Sequence, residues 1–465
     1  MYQESLIDTI AAISTPSGQG GIGIVRISGK ESLNIADKIF VAKNKKKPSS
    51  FRTYSLHYGK VVDVNDDEQA VDEALIAVMK APKSYTAEDV VEISCHGGIA
   101  SLKKILSLIF ENGARLAQPG EFTKRAFLNG RMDLTQAEAV LDIIQAKTDA
   151  FLRTSVNQLK GDLTIELESI REFLMSAYIE IEAIVNFPED DIDVLSRQGL
   201  MKNIDGVMQK VNTLLLSSDQ GRIMKEGVRV VICGKPNVGK SSLLNVFLRQ
   251  PRAIVSEVKG TTRDTIEEFA QIKGIPLQLV DTAGILRPRN SVEKEAVRRS
   301  HLNIDQADLI LFMVDSSDCI SREDQQIIDK IKGKNVIVVL NKNDKKMRVD
   351  SEKISKQLDD SLQVKVSALT RQGIDILEES LVKNILHGKD FEESKVVISN
   401  VRQIESLKKC LFAIENAKKH FSDQLSLEFV SEEIKLAVDF LDEITGKNIS
   451  QDLLDKIFSS FCIGK

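Results

Sequence analysis

The chain has 465 residues, of which 42% are hydrophobic and 28% charged, and its net charge is −5. This length exceeds one ordinary hydrophobic core, so we expect two to four domains in a soluble globular protein. Because the net charge is acidic, the charge does not indicate a nucleic-acid partner, whose usual footprint is a basic patch or stripe. No apolar run approaches the roughly 18 residues of a membrane span. Because the start, MYQESLIDTI, also lacks a secretory layout, we expect a cytoplasmic protein.

The first 120 residues predict a mixed α/β region. Short β-branched runs at residues 22–27 and 90–93 are typical of strands, and Gly and Pro separate them. From about residue 134 the pattern becomes helical, and Thr135 and Glu138 have the spacing of a capping box at a helix start. A long helix follows, because apolar residues then recur in steps of four and three at Leu163, Leu167, Ile170, Leu174, Ala177, Ile181 and Ile184.

Between about residues 225 and 385 the pattern changes to strand, loop and helix. Continuous apolar runs are typical of parallel strands buried on both faces, and they lie at residues 228–233, 277–280, 309–314 and 336–340. Helical periodicity returns from Ile404 onward. Because helical segments flank this region on both sides, the sequence predicts an α/β domain inserted into an all-α one.

A P-loop motif, GKPNVGKS, occupies residues 234–241. It follows an apolar strand and precedes a helical segment, which is the context that the motif requires. Its backbone N–H groups and the helix N-terminus can hold phosphates, while Lys240 can reach the outer phosphates and Ser241 can ligate Mg²⁺. The nucleotide-binding residues predicted in this motif are Asn237, Val238, Gly239, Lys240, Ser241 and Ser242.

Two later motifs predict the groups that sense the γ-phosphate. The sequence GTTRD at 260–264 occupies the position of a first switch, where Thr262 is expected to meet Mg²⁺ and the γ-phosphate. The sequence DTAG at 281–284 closes the second apolar run. The residues predicted to contact nucleotide or metal here are Thr261, Thr262, Asp281, Thr282, Ala283 and Gly284.

Two further motifs predict recognition of guanine. The sequence NKND at 341–344 closes another apolar run, and SAL follows at 367–369. A carboxylate at Asp344 can accept hydrogen bonds from two donors that guanine presents and adenine lacks, so adenine would leave it unpaired. We therefore predict a GTP site, whose base-binding residues are Asn341, Lys342, Asp344, Ser367 and Ala368.

Hydrolysis of GTP needs a group that orients the attacking water. Ras-type enzymes use a glutamine directly after the Asp-x-x-Gly motif, but this chain has Ile285 there. An isoleucine side chain cannot form hydrogen bonds, so the group must come from elsewhere. Glu293 and Glu295 are the local acidic candidates, and the sequence motifs do not distinguish between the two.

Several short motifs outside the nucleotide site also have a characteristic order. They are GGIGIVRISG at 20–29, CHGG at 95–98, PGEFT at 119–123, RAFLN at 125–129 and FCIGK at 461–465. Together with the nucleotide motifs, they resemble the MnmE (TrmE) family of tRNA modification GTPases along the whole chain. The Cys-x-Gly-Lys tail on a P-loop protein is specific, because ordinary translation GTPases lack it.

This resemblance implies a multidomain α/β and all-α fold. Its parts would be a mixed α/β folate-binding and dimerisation domain at 1–120, a discontinuous helical domain at 121–220 and 386–465, and an inserted Ras-like P-loop G domain at 221–385. It also implies a homodimer that forms a heterotetramer with MnmG (GidA), a protein that uses FAD and NADH. Together they would add a (carboxymethyl)aminomethyl group to carbon 5 of the tRNA wobble uridine. The one-carbon donor would be 5,10-methylene- or 5-formyl-tetrahydrofolate.

The resemblance assigns further roles residue by residue. Glu293 becomes the water-orienting group, and a K⁺ ion would do the work of an arginine finger. The K⁺ ligands would be Asn237, Ser256, Val258 and Thr261. The folate contacts would be Arg26, Glu92, Arg131 and Lys465. Without the resemblance, we would predict that Arg26 is a surface cation on a strand.

The tail after residue 450 is the last candidate site. The apolar residues of a predicted helix at 450–458 could anchor it and hold the tail against the N-terminal domain that carries Arg26. Cys462 would then lie near the folate as a catalytic thiol, and a purely structural cysteine is the equal alternative because no activating base is visible nearby.

Two other functions share parts of these motifs. A ribosome-biogenesis GTPase would have the same switch motifs, but its RNA-binding domain typically has a basic surface, which the acidic pI disfavours. A folate-dependent one-carbon transferase, with the G domain only as a regulator, is the second alternative. Transfer of isotope from labelled folate without a partner protein would support it.

Overall fold

A computed structural model describes residues 8–16, 18–66, 69–186, 197–248, 267–281, 302–386 and 396–465. The chain divides into two compact units. The first unit spans Met1–Leu141, Gln158–Ile192 and Lys419–Lys465, and the second spans Asp142–Asn157 and Asp193–Lys418. In the described ranges, no helix has both the length and the apolar character that crossing a membrane requires.

Seven strands of the first unit form one sheet. They are β1 (Ile10–Ile13), β2 (Gly20–Ser28), β3 (Phe40–Ala42), β4 (Ser55–Asp63), β5 (Gln69–Met79), β6 (Val90–Gly97) and β7 (Arg115–Leu116). Their order is β3-β4-β5-β6-β2-β1-β7, and only β1 and β7 pair in parallel among these strands. The two predicted β-branched runs lie in β2 and β6, which confirms them as strands.

Two helices, α1 (Ser32–Ile39) and α2 (Ile99–Glu111), pack on one face of this sheet. Alternate residues of the strands point into the core that they share, because successive side chains of a strand lie on opposite faces. Val25 and Ile27 of β2 are fully buried in this core. Arg26, between them, belongs to the other face.

Further helices follow along the chain at α3 (Glu121–Leu128), α4 (Leu134–Gln145), α5 (Asp149–Lys160) and α6 (Asp162–Asn186). Near the end of the chain are α13 (Leu427–Thr445) and α14 (Gln451–Ser459). The predicted apolar stripe of α6 is buried from Leu163 to Ile181, and α6 packs against α13. The last predicted member of the stripe, Ile184, is only partly buried.

The expected cap at Thr135 is wrong. Helix α4 begins at Leu134, and the capping residue is Asp133, whose Oδ1 accepts from the Gln136 backbone N–H at 2.9 Å. Gln136 Oε1 accepts in return from the Asp133 backbone N–H at 3.0 Å, which completes a capping box. The Thr135 hydroxyl instead donates to Asp133 Oδ1 at 2.7 Å. The carboxylate therefore serves as the cap two residues earlier than the threonine.

The second unit contains a six-stranded sheet made of β8 (Val228–Cys233), β9 (Glu267–Ile272), β10 (Ile275–Asp281), β11 (Leu309–Asp315), β12 (Val336–Asn341) and β13 (Leu362–Lys365). Its order is β13-β12-β11-β8-β10-β9, and every pair is parallel apart from the β9–β10 hairpin. All four predicted apolar runs are strands of this sheet.

The second sheet is buried on both faces. Leu309, Leu311 and Met313 of β11 point into one core, whereas Ile310 and Phe312 point into the other. The helices in this part of the chain are α7 (Arg197–Glu226), α8 (Lys240–Leu248), α9 (Arg322–Ile331), α10 (Ser351–Gln357), α11 (Ile374–Ile385) and α12 (Val401–Ser422). Because helices also flank this sheet region in sequence, the predicted fold class, an α/β domain inserted in a helical one, is confirmed.

Candidate functional site

The P-loop connects β8 to α8 and needs backbone conformations that favour glycine. Gly239 has φ of +104°, and a Cβ at this position would lie 2.2 Å from Asn341 Nδ2. Gly234 has φ of +152°, with Met313 O 2.4 Å from its hypothetical Cβ. A side chain at either position would therefore collide with a neighbouring strand end. Asn237 also has a positive φ of +62°, which asparagine tolerates better than most residues.

The residues predicted to bind phosphates lie at the start of α8. Lys240 Nζ donates to the carbonyl oxygens of Gly234 at 3.0 Å and Lys235 at 3.1 Å. Ser241 and Ser242 belong to the first turn of the same helix. A cation, two hydroxyls and a helix N-terminus thus lie together, and each of them favours negative charge.

Asn341, the last residue of β12, connects two predicted motifs. Its Nδ2 donates to Val238 O at 2.7 Å, and its Oδ1 accepts from the Ala368 backbone N–H at 3.0 Å. The residue is buried, so these bonds satisfy polar atoms that water cannot reach. Val238 contributes this carbonyl, while its side chain is buried in the core of the unit.

Hydrogen bonds to Asp315 and Ser367 hold the base-recognition motif in place. Lys342 Nζ donates to Asn237 O at 2.9 Å and to Asp315 Oδ2 at 2.6 Å. The Ser367 hydroxyl donates to Asp344 Oδ1 at 2.6 Å and lowers the pKa of Asp344. An ionised Asp344 keeps its remaining lone pairs available as acceptors, as recognition of two donors requires.

These residues line one cavity of about 440 Å³. Ten residues predicted from sequence contribute to its wall, at Asn237, Gly239, Lys240, Ser241, Ser242, Asn341, Lys342, Asp344, Ser367 and Ala368. Lys345 and Leu369 also line it, and Asp315 supports it from β11 through Lys342. Leu369 belongs to the predicted SAL motif, whereas no motif predicted a binding role for Lys345 or Asp315, although Asp315 directly follows the apolar run 309–314 and so marks a strand end.

Among the other predicted nucleotide and metal residues, only Asp281 lies within the described ranges. Asp281 ends β10 and pairs in register with Ile232 of β8, which puts its backbone at the same sheet edge as the P-loop. The remaining predictions lie outside the described residues, at Ser256, Val258, Thr261, Thr262, Thr282, Ala283, Gly284 and Glu293, as does the alternative Glu295.

A second cluster of predicted residues lies on the face of the first sheet opposite α1 and α2. Arg26 of β2 and Glu92 of β6 are cross-strand partners, and Arg26 Nε donates to Glu92 Oε1 at 2.8 Å. Their side chains are 14% and 24% exposed, so the pair is partly shielded from water but still accessible. Arg26 Cζ also lies 5.4 Å from the Tyr85 ring centroid and 5.5 Å from that of Phe122.

The chain's last residues reach this cluster. Arg26 Nη1 donates to Gly464 O at 3.1 Å, and the Ser14 hydroxyl donates to the same oxygen at 3.2 Å. The Phe122 backbone N–H donates to Lys465 O at 3.2 Å. Burial, together with the positive charge of Arg26, lowers the pKa of the Lys465 ammonium. The tail therefore lies against β1 and β2, as the sequence analysis expected.

Arg131 and Cys462 complete the predicted set. Arg131 Cζ lies 4.9 Å from the Tyr85 ring centroid, and its Nη1 donates to Tyr85 O at 2.9 Å. Cys462 is exposed, and its carbonyl accepts from the Gly120 backbone N–H at 3.4 Å. Tyr85 thus connects two predicted arginines, and neither periodicity nor any motif in the sequence analysis singled it out.

Comparisons with known proteins cover the whole chain. The family described as GTP-binding protein TrmE N-terminus matches residues 9–131, and the MnmE helical domain matches residues 134–462. A protein from Desulforamulus reducens named tRNA modification GTPase MnmE is 44% identical, with 99% of this chain and 100% of the relative covered. A protein of the same name from Clostridioides difficile is 44% identical, with 98% of this chain and 99% of the relative covered. The one from Bacillus subtilis (strain 168) is 42% identical, with 99% of this chain and 100% of the relative covered.

A solved structure of an Aquifex aeolicus Era variant bound to GDP.AlF4− shares 30% sequence identity over 40% of this chain and 66% of that chain, with a TM-score of 0.28. The matches to both family descriptions and the full-length identities establish that this chain belongs to the MnmE (TrmE) family of tRNA modification GTPases.

Proposed function

We propose that the second unit binds GTP with Mg²⁺ and hydrolyses it. The observation that carries this proposal is that Lys240 and Ser241 line the same cavity as Asp344. Lys240 and Ser241 can contact phosphates and Asp344 can accept hydrogen bonds from guanine, so one cavity has partners for both ends of a guanine nucleotide. Gly239 also suits a phosphate-binding loop, because the absence of a Cβ lets the loop backbone lie close to Asn341.

Substitution of Asp344 by asparagine tests this proposal. Asp344→Asn replaces an acceptor oxygen by a donor that faces donors on guanine, so GTP affinity should fall by at least about tenfold, or about 1.4 kcal/mol. Xanthosine triphosphate should gain relative affinity, because its ring carbonyl can accept from the new amide. Calorimetric titration of both nucleotides measures the change.

The matched control is Asp359→Asn, an exposed carboxylate of the same unit that does not line the cavity. It should leave both affinities unchanged. Unchanged GTP binding by Asp344→Asn would remove the guanine assignment.

We also propose that hydrolysis uses the groups assigned by family resemblance. Ser241 and Thr262 would hold Mg²⁺, Glu293 would orient the attacking water, and K⁺ would stabilise the developing charge. The proposed K⁺ ligands are Asn237, Ser256, Val258 and Thr261. Within the described residues, support comes from the P-loop, where Lys342 holds the carbonyl of Asn237 and thereby fixes that residue.

For the first unit we propose a tetrahydrofolate site formed by Arg26, Glu92, Arg131 and Lys465. The anionic glutamyl group of a folate suits cationic donors, and the partly buried Tyr85 ring beside Arg26 and Arg131 can contact an aromatic heterocycle. Folate supplies a one-carbon unit when bound. The contribution of these residues is to bind and orient it.

The proposed biological role follows from family membership. We propose that the chain acts as a cytoplasmic homodimer together with MnmG (GidA), which uses FAD and NADH. The pair would add a (carboxymethyl)aminomethyl group to carbon 5 of the tRNA wobble uridine. In this proposal residues 1–120 bind folate and dimerise, residues 121–220 and 386–465 form the helical domain, and residues 221–385 form the G domain.

A further inference from the structure

Lys235 of the P-loop has a partner that no nucleotide motif assigns. Its side chain is 13% exposed, and its Nζ lies 3.1 Å from Asp324 Oδ2 and 3.1 Å from Asp318 Oδ2. The two carboxylates differ in environment, because Asp324 is fully buried whereas Asp318 is 64% exposed. A buried ion pair is screened less by water and salt than an exposed one, so Asp324 is the stronger anchor.

Asp324 is itself fixed at the start of α9. It is the third residue of that helix and forms a capping box with Ser321. Its Oδ2 accepts from the Ser321 backbone N–H at 2.9 Å and from the Ser321 hydroxyl at 2.7 Å, as well as from Lys235. Its Oδ1 is buried and has no hydrogen-bond partner within the described part of the chain. The carboxylate therefore cannot rotate away from Lys235 without losing three bonds.

The backbone of Lys235 contacts the lysine that would bind the phosphates. Lys240 Nζ donates to Lys235 O at 3.1 Å and to Gly234 O at 3.0 Å. Lys235 thus has its side chain held by α9, while its carbonyl oxygen holds the ammonium group of Lys240. Both contacts belong to one residue, so the ion pair with Asp324 restrains the position of Lys235 and, through it, of the carbonyl.

We propose that Lys235 is a positioning residue for nucleotide hydrolysis, whose ion pair with Asp324 fixes the P-loop carbonyl that orients Lys240. This inference rests on the proposed GTPase function of the same cavity. It adds a connection between the P-loop and the N-terminus of α9. Lys235 acts through Lys240 and does not itself touch the nucleotide.

The test compares full-length variants at a temperature at which circular dichroism reports each of them folded. Lys235→Met removes the charge, and we expect kcat for GTP hydrolysis to fall by about tenfold or more, with weaker GDP binding, because Lys240 loses its orientation. Lys235→Arg keeps the charge and should recover most of the rate. A merely structural ion pair would lower the melting temperature and leave kcat and GDP affinity of the folded protein unchanged.

The matched control is Asp318→Asn, which removes the exposed partner of the same lysine and should leave kcat within about twofold, as expected for a surface ion pair. If Lys235→Met does not fold, Lys235→Met combined with Asp324→Leu removes both buried charges, a change that is often neutral for stability. We expect that double variant to keep the kinetic defect. Wild-type kcat in either folded variant overturns the positioning role, whereas absence of GTP hydrolysis by the wild-type protein overturns the proposed function itself.

Discussion

Single buried side chains connect segments that are far apart in sequence. Asn341 reaches Val238 O at 2.7 Å and the Ala368 N–H at 3.0 Å, so one amide joins the P-loop to the SAL segment. Leaving a buried donor or acceptor unpaired costs about 1–3 kcal/mol. The motif identifies Asn341 as part of a nucleotide site, but its role as a bridge between two loops is visible only in the fold.

At the same scale, His96 gives a prediction about pH. Its Nδ1 lies 2.6 Å from Asp72 Oδ1, and the hydrogen bond and charge of Asp72 raise the pKa of His96 above the ordinary value of 6.5. Stabilisation by this pair is therefore fully present below pH 6.5 and is lost as the pH rises through the higher folded pKa. NMR titration of Asp72→Asn should show a lower His96 pKa than in the wild type.

Glu73→Gln is the graded control, since Glu73 raises the pKa of His96 less than Asp72 does. It should lower this pKa by a smaller amount. An equal His96 pKa in the wild type and Asp72→Asn would contradict the prediction.

At the scale of elements, α14 and the tail are fixed by packing. Leu454 and Phe458 are buried in a cluster with Ala126 of α3 and Leu134 of α4. A Cβ on Gly120, which has φ of +67°, would lie 2.6 Å from Phe458 O, so the turn before α3 lies close against α14. The apolar anchor expected for this helix is confirmed at these two positions.

Gly464 provides a prediction at this scale. It has φ of +96°, and a Cβ would lie 2.6 Å from Ile13 O. Gly464→Ala should displace the tail from Arg26 and weaken binding of 5-formyl-tetrahydrofolate by about tenfold, or about 1.4 kcal/mol. GTP binding by the second unit should be unaffected. Titration of both ligands by fluorescence or calorimetry measures this.

Gly113→Ala is the control, because Gly113 also has a positive φ, of +110°, but nothing lies within 4 Å of its Cβ position. Backbone strain alone should leave folate binding unchanged. Equal folate affinity in Gly464→Ala and the wild type would show that the tail contact does not contribute to binding.

At the scale of the whole molecule, we expect hydrolysis to depend on K⁺. The motivation is Asn237 in the P-loop together with Ile285, an isoleucine in the position where Ras-type enzymes have a glutamine. The GTPase rate should be several-fold higher in KCl than in NaCl at equal ionic strength, which keeps screening constant. Equal rates in the two salts would refute the K⁺ role, and a Mg²⁺-free sample should be inactive in both.

Cys462 gives a prediction that separates the two activities of the molecule. It lies in the first unit, on the tail that reaches Arg26 through Gly464. Cys462→Ser should leave GTP hydrolysis intact and reduce tRNA modification in complemented cells, as measured by mass spectrometry of wobble nucleosides. Cys319→Ser, an exposed cysteine of the second unit, is the control and should modify fully. Full modification by Cys462→Ser would show that the thiol has no catalytic role.

Features that depend on residues close together in the chain could be predicted from the sequence. Continuous apolar runs predicted four of the six strands of the second sheet. The P-loop and NKND motifs predicted most of the cavity wall, because those groups act from the loop directly after their own strand. The family resemblance supplied the residues of the folate proposal, which periodicity did not.

Contacts between groups far apart in the chain could not be predicted from the sequence and are visible only in the folded structure. Arg26 and Gly464 are 438 residues apart, and Lys235 and Asp324 are 89 residues apart. No local pattern encodes such pairs, since they form where packed sheets and helices bring separate segments within hydrogen-bond distance. Even neighbouring residues can be misassigned from the sequence. Thr135 has equally good spacing for a helix cap, but the Asp133 carboxylate caps α4. Local spacing indicates which partners are possible, and the partner that forms is the one that gives the folded chain the lowest free energy.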